Sequence, residues 1–248
     1  MTDNPTIHLV ELFPGHLMLN GDMGNIAVLD RRATLAGAAV TVTRVEPGES
    51  IPANADIITV GTGPASAQRA IAASLPGLTA PLTAAIEGGA AVFAVNAGFH
   101  LLGRSVRHRD GSELRGAAIF PVTTEPSDRQ IVTDEFTVDS AEGRLIGVEN
   151  HAARVHLDAD AAPLGTVVRG VGNDGSTEGY RAGVVIGTHM HGPALAMNPL
   201  LADVLLRDAF ARQGAEYTRT ADHDRIDAVA RGARQHLARL ARVSLDRA

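Results

Sequence analysis

Apolar and polar residues follow two rhythms along the first hundred positions. Short apolar runs of strand length, IHLVELF (7–13), AVTVTRV (39–45), DIITVGTG (56–63) and AVFAV (91–95), are separated by helix-period patterns over 24–35, 65–75 and 81–89. Buried runs of that length between amphipathic helices predict a mainly parallel sheet with helices on both faces. From 116 to about 187 the rhythm changes. AAIFPV, RQIVTDEFTVD, RLIGVENH, GTVVRGV and GVVIGTHMHG, broken by AEG, GNDG and Pro163, predict antiparallel additions to that sheet.

Two helices close the chain. Asn198 and Pro199 provide a cap and a first-turn proline for a helix ending at Gly214. A last helix is predicted over about 222–243. Its apolar stripe is Ile226, Val229, Ala230, Ala233, Leu237, Leu240 and Ala241, and its arginines fall mostly on the other face, either solvated or offered to a partner. With no long linker or repeat in 248 residues, the expected organisation is one α/β domain over 1–248.

Composition narrows the chemistry. The formal charge is −6, from 22 Lys and Arg against 28 Asp and Glu, which suggests no nucleic-acid or anionic-membrane partner. No apolar run approaches the roughly 20 residues of a membrane span, and MTDNPT is not a secretory leader, so a cytoplasmic location without membrane insertion is expected. There is no cysteine, which excludes disulfides, thiolate metal sites and a thiol nucleophile. Aromatics are 3% and Trp is absent, so the core is built from small and aliphatic side chains.

Three loops fall at the carboxyl edge of the predicted parallel strands, where open α/β sheets bind ligands: GTGPAS, NAGF and THMHGP. Asn96 stands where AVFAV turns into the next helix. That is either a plain strand-to-helix turn or an elbow presenting its tip residue, with the N–H of Ala97 free to donate to an oxyanion. His191 is placed to act as a general base or to serve a structural role. His189 lies on the same side of an extended segment, and with His100 the pair has weak metal-site character, so no metal is assigned. Gly61, Thr62 and Gly63 offer backbone amides to an anion.

Taken in order, these segments resemble the class I glutamine amidotransferases of the CobB/CobQ type, most closely their GatD branch, over nearly the whole chain. The resemblance rests on LFPGHLMLNGDMGNIAVLDRRATLAG with Gly21, Asp22, Gly24 and Asn25, on GTGPASAQRA, RDGSELRGAAIF, GVENHAARV and GVGNDG, and on GTHMHGPALAMNPLLADVLL. It implies a flavodoxin-like α/β fold, no cofactor, and a heterodimer with a MurT-like, Mur-ligase-type protein that forms amides with ATP. It also implies a cysteine thiolate at the elbow, His191 as its proton acceptor, Arg129 on the α-carboxylate of glutamine, and a substrate-site role for Asp22. The acid completing the triad is implied to come from the partner, because Pro193 stands two residues after the histidine in place of the usual Glu.

This chain departs from the pattern at the reactive position. The family's Cys-Gly-Gly-Tyr-Gln is Asn96, Ala97, Gly98, Phe99 and His100 here, Thr62 interrupts the triple-glycine loop, and Ala152 and Ala153 replace two glycines. A carboxamide nitrogen has a delocalised lone pair and cannot replace a thiolate, a loss of about a millionfold or roughly 8 kcal/mol. The resulting expectation is a GatD-like subunit that supports its ligase without hydrolysing glutamine. The alternatives are an enzyme remodelled around His191, His100, His189 and Arg129 for another acyl or amino-acid substrate, and a module that binds an amino acid through Arg129.

Overall fold

The structure, a computed structural model, describes residues 4–245; the outer three positions at each end of the expected 1–248 span lie outside the described residues. In chain order, β1 (Thr6–Leu12), α1 (Met23–Leu35), β2 (Ala39–Val45), β3 (Ile57–Val60), α2 (Ala65–Ile71), α3 (Leu75–Glu87), β4 (Ala91–Val95) and α4 (Ala97–Leu101) form the first half. The second comprises β5 (Ser105–Arg107), β6 (Glu113–Arg115), β7 (Val122–Ser140), β8 (Gly143–Leu157), β9 (Gly165–Arg169), β10 (Thr177–Glu178), β11 (Tyr180–Ala182), β12 (Val185–Thr188) and β13 (Met190–His191), followed by α5 (Ala194–Met197), α6 (Pro199–Arg212) and α7 (Ala221–Ala241).

The first sheet has the order β2-β1-β3-β4-β12-β11. All its pairings are parallel except the edge strand β11, so its carboxyl edge gathers the ends of β1, β3, β4 and β12. Every residue of β3 and β4 is buried, as the uninterrupted apolar runs require when helices cover both faces. The second sheet is built on the long antiparallel pair β7–β8, flanked by β5, β6, β9, β10 and β13. Both hydrophobic clusters draw on both sheets: Val10, Val60 and Val92 pack with Val122 and Val155, and Leu9 and Phe93 with Phe136 and Val138. The mixed α/β architecture read from the apolar rhythm is thus present, with most of the antiparallel strands gathered in a second sheet.

Four local expectations are corrected. The segment 117–121 of AAIFPV is irregular rather than extended, and only Val122 enters β7. The stretch Ala65–Glu87 does reach the length and hydropathy of a membrane span. Here it is α2 and α3 joined by a 3-10 turn at Ala72–Ser74, with Ile71, Leu75, Leu78 and Leu82 buried in the core. Asn198 occupies the N-cap position of α6 but makes no cap bond. Its amide instead brackets the backbone of Ile146 in β8, accepting from the N–H and donating to the carbonyl, both at 3.0 Å.

The fourth concerns α7. Its inward face is polar: His223 Nε2 meets the carbonyl of Arg32 at 3.0 Å, Asp227 accepts from Arg32 at 2.6 Å, and Arg234 donates to Asn198 at 2.5 Å and to the carbonyl of Arg144 at 2.7 Å. These bonds fix the helix rotation and leave much of its apolar stripe outward, with Val229 76% and Leu240 54% exposed. Arg32 itself is buried, donating through Nε and Nη2 to Asp203 at 2.9 and 2.6 Å. Arg32, with Arg219 on the same two carboxylates at 2.7 Å each, clamps α1, α6 and α7 together.

Candidate functional site

The elbow at the end of β4 is present. Asn96 has φ 47° and ψ −106°, a left-handed conformation that costs a non-glycine residue about 1–3 kcal/mol. The turn is held by the Asn96 N–H on the carbonyl of Thr188 at 2.7 Å and by the His100 N–H on the carbonyl of Asn96 at 2.9 Å. Gly98 permits the tight approach behind it, since a Cβ there would lie 2.6 Å from the carbonyl oxygen of Val60.

At the tip, Asn96 Nδ2 lies 2.9 Å from the carbonyl of Asn150 and 3.0 Å from Nε2 of His191. A carbonyl can only accept, so the amide orientation is fixed and its second hydrogen points at the imidazole. Nε2 of His191 is therefore an acceptor, and Nδ1 carries the proton, which it donates to Asp22 Oδ1 at 3.0 Å. The arrangement has the connectivity of a nucleophile–histidine–acid triad with a carboxamide in the first position. It corrects two expectations for Asp22 and the acid: the acid on His191 comes from this chain, and Asp22 orients the histidine rather than holding substrate. The short 3-10 turn Leu19–Gly21 carries Asp22 to the sheet edge, where its other oxygen accepts from the Thr62 N–H at 2.9 Å.

The amides that an oxyanion would need are occupied. The N–H of Ala97, the residue after the tip, donates to Thr62 Oγ1 at 3.2 Å, and that of Thr62 is taken by Asp22. Thr62 Oγ1 therefore competes for the donor that an oxyanion formed at the tip would use. Gly61 packs against the carbonyl of Leu17, which a Cβ would approach to 2.3 Å. The Thr62 amide is thus committed to Asp22, while Gly63 lines the cavity.

A cavity of about 550 Å³ opens over the tip, lined among others by Thr62, Gly63, Asn96, His100, Arg109 and His151. Arg129 does not reach it. Between Pro126 and Ile131 the β7–β8 register slips, a bulge that carries Arg129 to the exposed surface. The cavity's cations are Arg69, Arg107 and Arg109. Arg69 pairs with Asp110 at 3.2 Å and Arg107 with Glu125 at 3.1 Å, while Arg109 donates to the carbonyl of Ser127 at 2.7 Å. The two buried side-chain atoms without a hydrogen-bond partner among the described residues, His108 Nε2 and Thr124 Oγ1, also belong to residues lining this cavity.

His189 is not with His191. It is fully buried behind the cavity wall, with Nε2 3.1 Å from Nε2 of His100 and Nδ1 3.0 Å from Glu178 Oε2. Burial pushes both His100 and His189 well below the ordinary histidine value; repulsion from His189 and His151 lowers His100 further, and repulsion from His151 lowers His189 against the pull of Glu149. Burial raises Glu178 to about 7 against hydrogen bonds from Thr188 and the His189 N–H. His151 stacks on His189 at 4.2 Å and bonds Glu149 at 3.2 Å. Burial would raise Glu149, but donors from His151, Thr133 and Gly172 outweigh it and hold the carboxyl below its ordinary value. Among the described residues, no group of three or more such side chains could hold a metal ion. Sequence reasoning missed Glu149, His151 and Glu178. The first two were readable, because alternate residues of a strand share a face; Glu178 carried no pattern.

Residues 18–199 match the CobB/CobQ-like glutamine amidotransferase domain. The chain belongs to this family. The GatD subunit of lipid II isoglutaminyl synthase (glutamine-hydrolyzing) from Staphylococcus aureus strain N315 is 32% identical over 204 residues, 81% of this chain and 83% of that protein. The corresponding GatD of Streptococcus pneumoniae strain ATCC BAA-255 / R6 is 31% identical over 212 residues, 84% and 82% of the two chains. The structure of PurLQS from Thermotoga maritima covers 85% of this chain and 97% of its own, with a TM-score of 0.56 at 13% identity, a likeness of fold alone. In this chain the elbow carries Asn96 at its tip, with His191 and Asp22 in hydrogen-bonded series behind it.

Proposed function

We propose that this family member is a GatD-like subunit that pairs with a MurT-like, Mur-ligase-type protein in the cytoplasm and does not hydrolyse glutamine. One observation carries the reading: the side chain at the nucleophile position is a carboxamide whose nitrogen donates both hydrogens, to His191 and to the Asn150 carbonyl. It has no ionisable hydrogen near neutral pH and no accessible lone pair, so no acyl intermediate can form on it. The neighbouring amides, committed to Thr62 and Asp22, remove oxyanion stabilisation as well. The similarity to GatD supports the partner. The subunit's contribution would be to shape or stabilise the ligase while nitrogen arrives from another source.

The reading is tested by assaying amide formation by a MurT-like ligase with and without this chain, offering glutamine or ammonium. Product from ammonium, enhanced by the chain, and none from glutamine is the expected result. Equal use of glutamine would refute it.

A second reading is favoured by the cavity. The unpartnered Thr124 Oγ1 and His108 Nε2 beside Arg109 suit a bound amino acid, retained without turnover. In this reading Arg109, rather than Arg129, faces the carboxylate.

A further inference from the structure

Behind the cavity lies a chain of hydrogen bonds that glutamine chemistry at position 96 does not use. His100 follows Asn96 by one helical turn and lines the cavity. Its Nε2 faces Nε2 of His189 at 3.1 Å, and Nδ1 of His189 faces Glu178 at 3.0 Å. Glu178 is fully buried, and its other oxygen accepts from Thr188 Oγ1 and from the His189 N–H, each at 2.7 Å. The series therefore ends in a carboxyl with no solvent of its own, and His100 is its end at the cavity.

Two imidazole nitrogens 3.1 Å apart must share one hydrogen, and this fixes the possible states. With Glu178 ionised, His189 Nδ1–H donates to it, His100 Nε2–H donates to His189, and Nδ1 of His100 is a lone pair available to the cavity. With Glu178 protonated, every hydrogen moves one place. Glu178 O–H donates to His189 Nδ1, His189 Nε2–H donates to His100, and His100 Nδ1 carries a hydrogen. Both states satisfy the same contacts and leave both rings uncharged, as their burial demands.

The geometry points to a second acid–base site in this cavity, in which His100 exchanges a proton with a bound ligand and passes it through His189 to Glu178. The ligand class is a small molecule with a transferable N–H or O–H, such as ammonium, a primary amine or water. In the uptake direction the ligand's N–H or O–H bond breaks and its electron pair stays on the ligand. A bond forms to His100 Nδ1, the two ring protons shift by one position each, and the O–H of Glu178 forms. No oxidant, metal or cofactor enters the balance.

The titratable groups facing this series are His151 and Glu149 from β8, His191 from β13 and His108 from the β5–β6 turn. His151 and Glu149 bond each other, and His191 is paired with Asp22. The burial-raised Glu178, near 7, places the exchange where an acid–base group works best at neutral pH. The inference stands on the full chain alone and does not depend on the absence of glutaminase activity.

Nitrogen NMR of the histidine side chains in the full-length protein tests it, from about pH 5.5 to about pH 8.5, a range that brackets neutral acid–base work. His100 should change from the Nδ1–H to the Nε2–H form as pH rises through about 7, without passing through the doubly protonated ring. In Glu178→Gln the change should vanish. On the wild type alone, infrared difference spectra should show a protonated carboxyl band disappearing with the same midpoint. An imidazolium at His100, a tautomer that does not move, a switch that survives Glu178→Gln, or a carboxyl band with another midpoint would overturn the proposal.

Discussion

Asn96 and His191 meet through a single hydrogen bond, the amide Nδ2–H to the ring Nε2 at 3.0 Å, on the nitrogen that a thiol would otherwise give its proton to. The histidine is oriented by Asp22, so a base and its orienting acid stand behind a tip side chain that offers no nucleophilic atom. Placing such an atom at the tip is therefore informative about everything else in the pocket.

Asn96→Cys should place a thiol beside His191, and its thiolate fraction should show as rapid alkylation near neutral pH. Glutaminase activity should remain weak, because Thr62 still holds the Ala97 N–H. Thr62→Gly in the same chain should add about 10²–10³ in kcat, the usual worth of one oxyanion donor. Glutamate release by the two variants checks this, and full activity in Asn96→Cys alone would show that the Thr62 contact is no obstacle.

Ligand retention separates two arginines. Glutamine, if bound, should show heat in calorimetry that Arg109→Ala abolishes, since Arg109 lines the cavity. Arg129→Ala should bind as the wild type does, because the β7 bulge holds Arg129 outside. The reverse pattern would restore the role that the resemblance gives Arg129.

The buried histidines set a pH dependence of stability. His100 and His189 are depressed in the fold, so below about pH 6.5 the unfolded chain gains protons that the native state does not, and stability falls with pH. Two such groups give about 2.7 kcal/mol per pH unit. Glu178 acts oppositely: raised to about 7, it takes up a proton in the fold before it does in the unfolded chain, offsetting one of the two between about pH 5 and 6. Unfolding free energies from urea titrations should fall, as pH drops from about 6 to about 5, by about one proton's linkage (roughly 1.4 kcal/mol per pH unit) in the wild type and about twice as steeply in Glu178→Gln.

Arg32→Ala should destabilise the fold by about 3 kcal/mol, the low end for a broken buried ion pair, because Asp203 and Asp227 lose their buried cation and keep only the partly exposed Arg219. Urea denaturation measures the loss. Hydrogen exchange should quicken in α7, whose inward face depends on Asp227 and His223.

The elements most legible in the sequence were those governed by local pattern. The all-buried β4 and the turn at Asn96 followed from AVFAV running into NAGF, and the parallel sheet from its apolar runs. What stayed hidden depends on residues far apart. The Asp22–His191 pair joins positions 169 residues apart, and nothing in either segment announces it. The resemblance puts Arg129 on the substrate, but motif matching does not register the β7 bulge, beside which Arg129 is exposed and outside the cavity lining. In α7, the apolar stripe misled because a few buried ion and amide bonds, to Arg32 and Asn198, outweighed the burial of Val229 and Leu240 in setting the helix rotation.

The most direct measurement is glutamate release from glutamine by the purified wild-type chain together with a MurT-like ligase and ATP. No release above the protein-free rate is expected, while the same complex accepts ammonium. Release at an ordinary enzymatic turnover of about 1 s⁻¹ or more, lost in His191→Ala, would contradict that expectation.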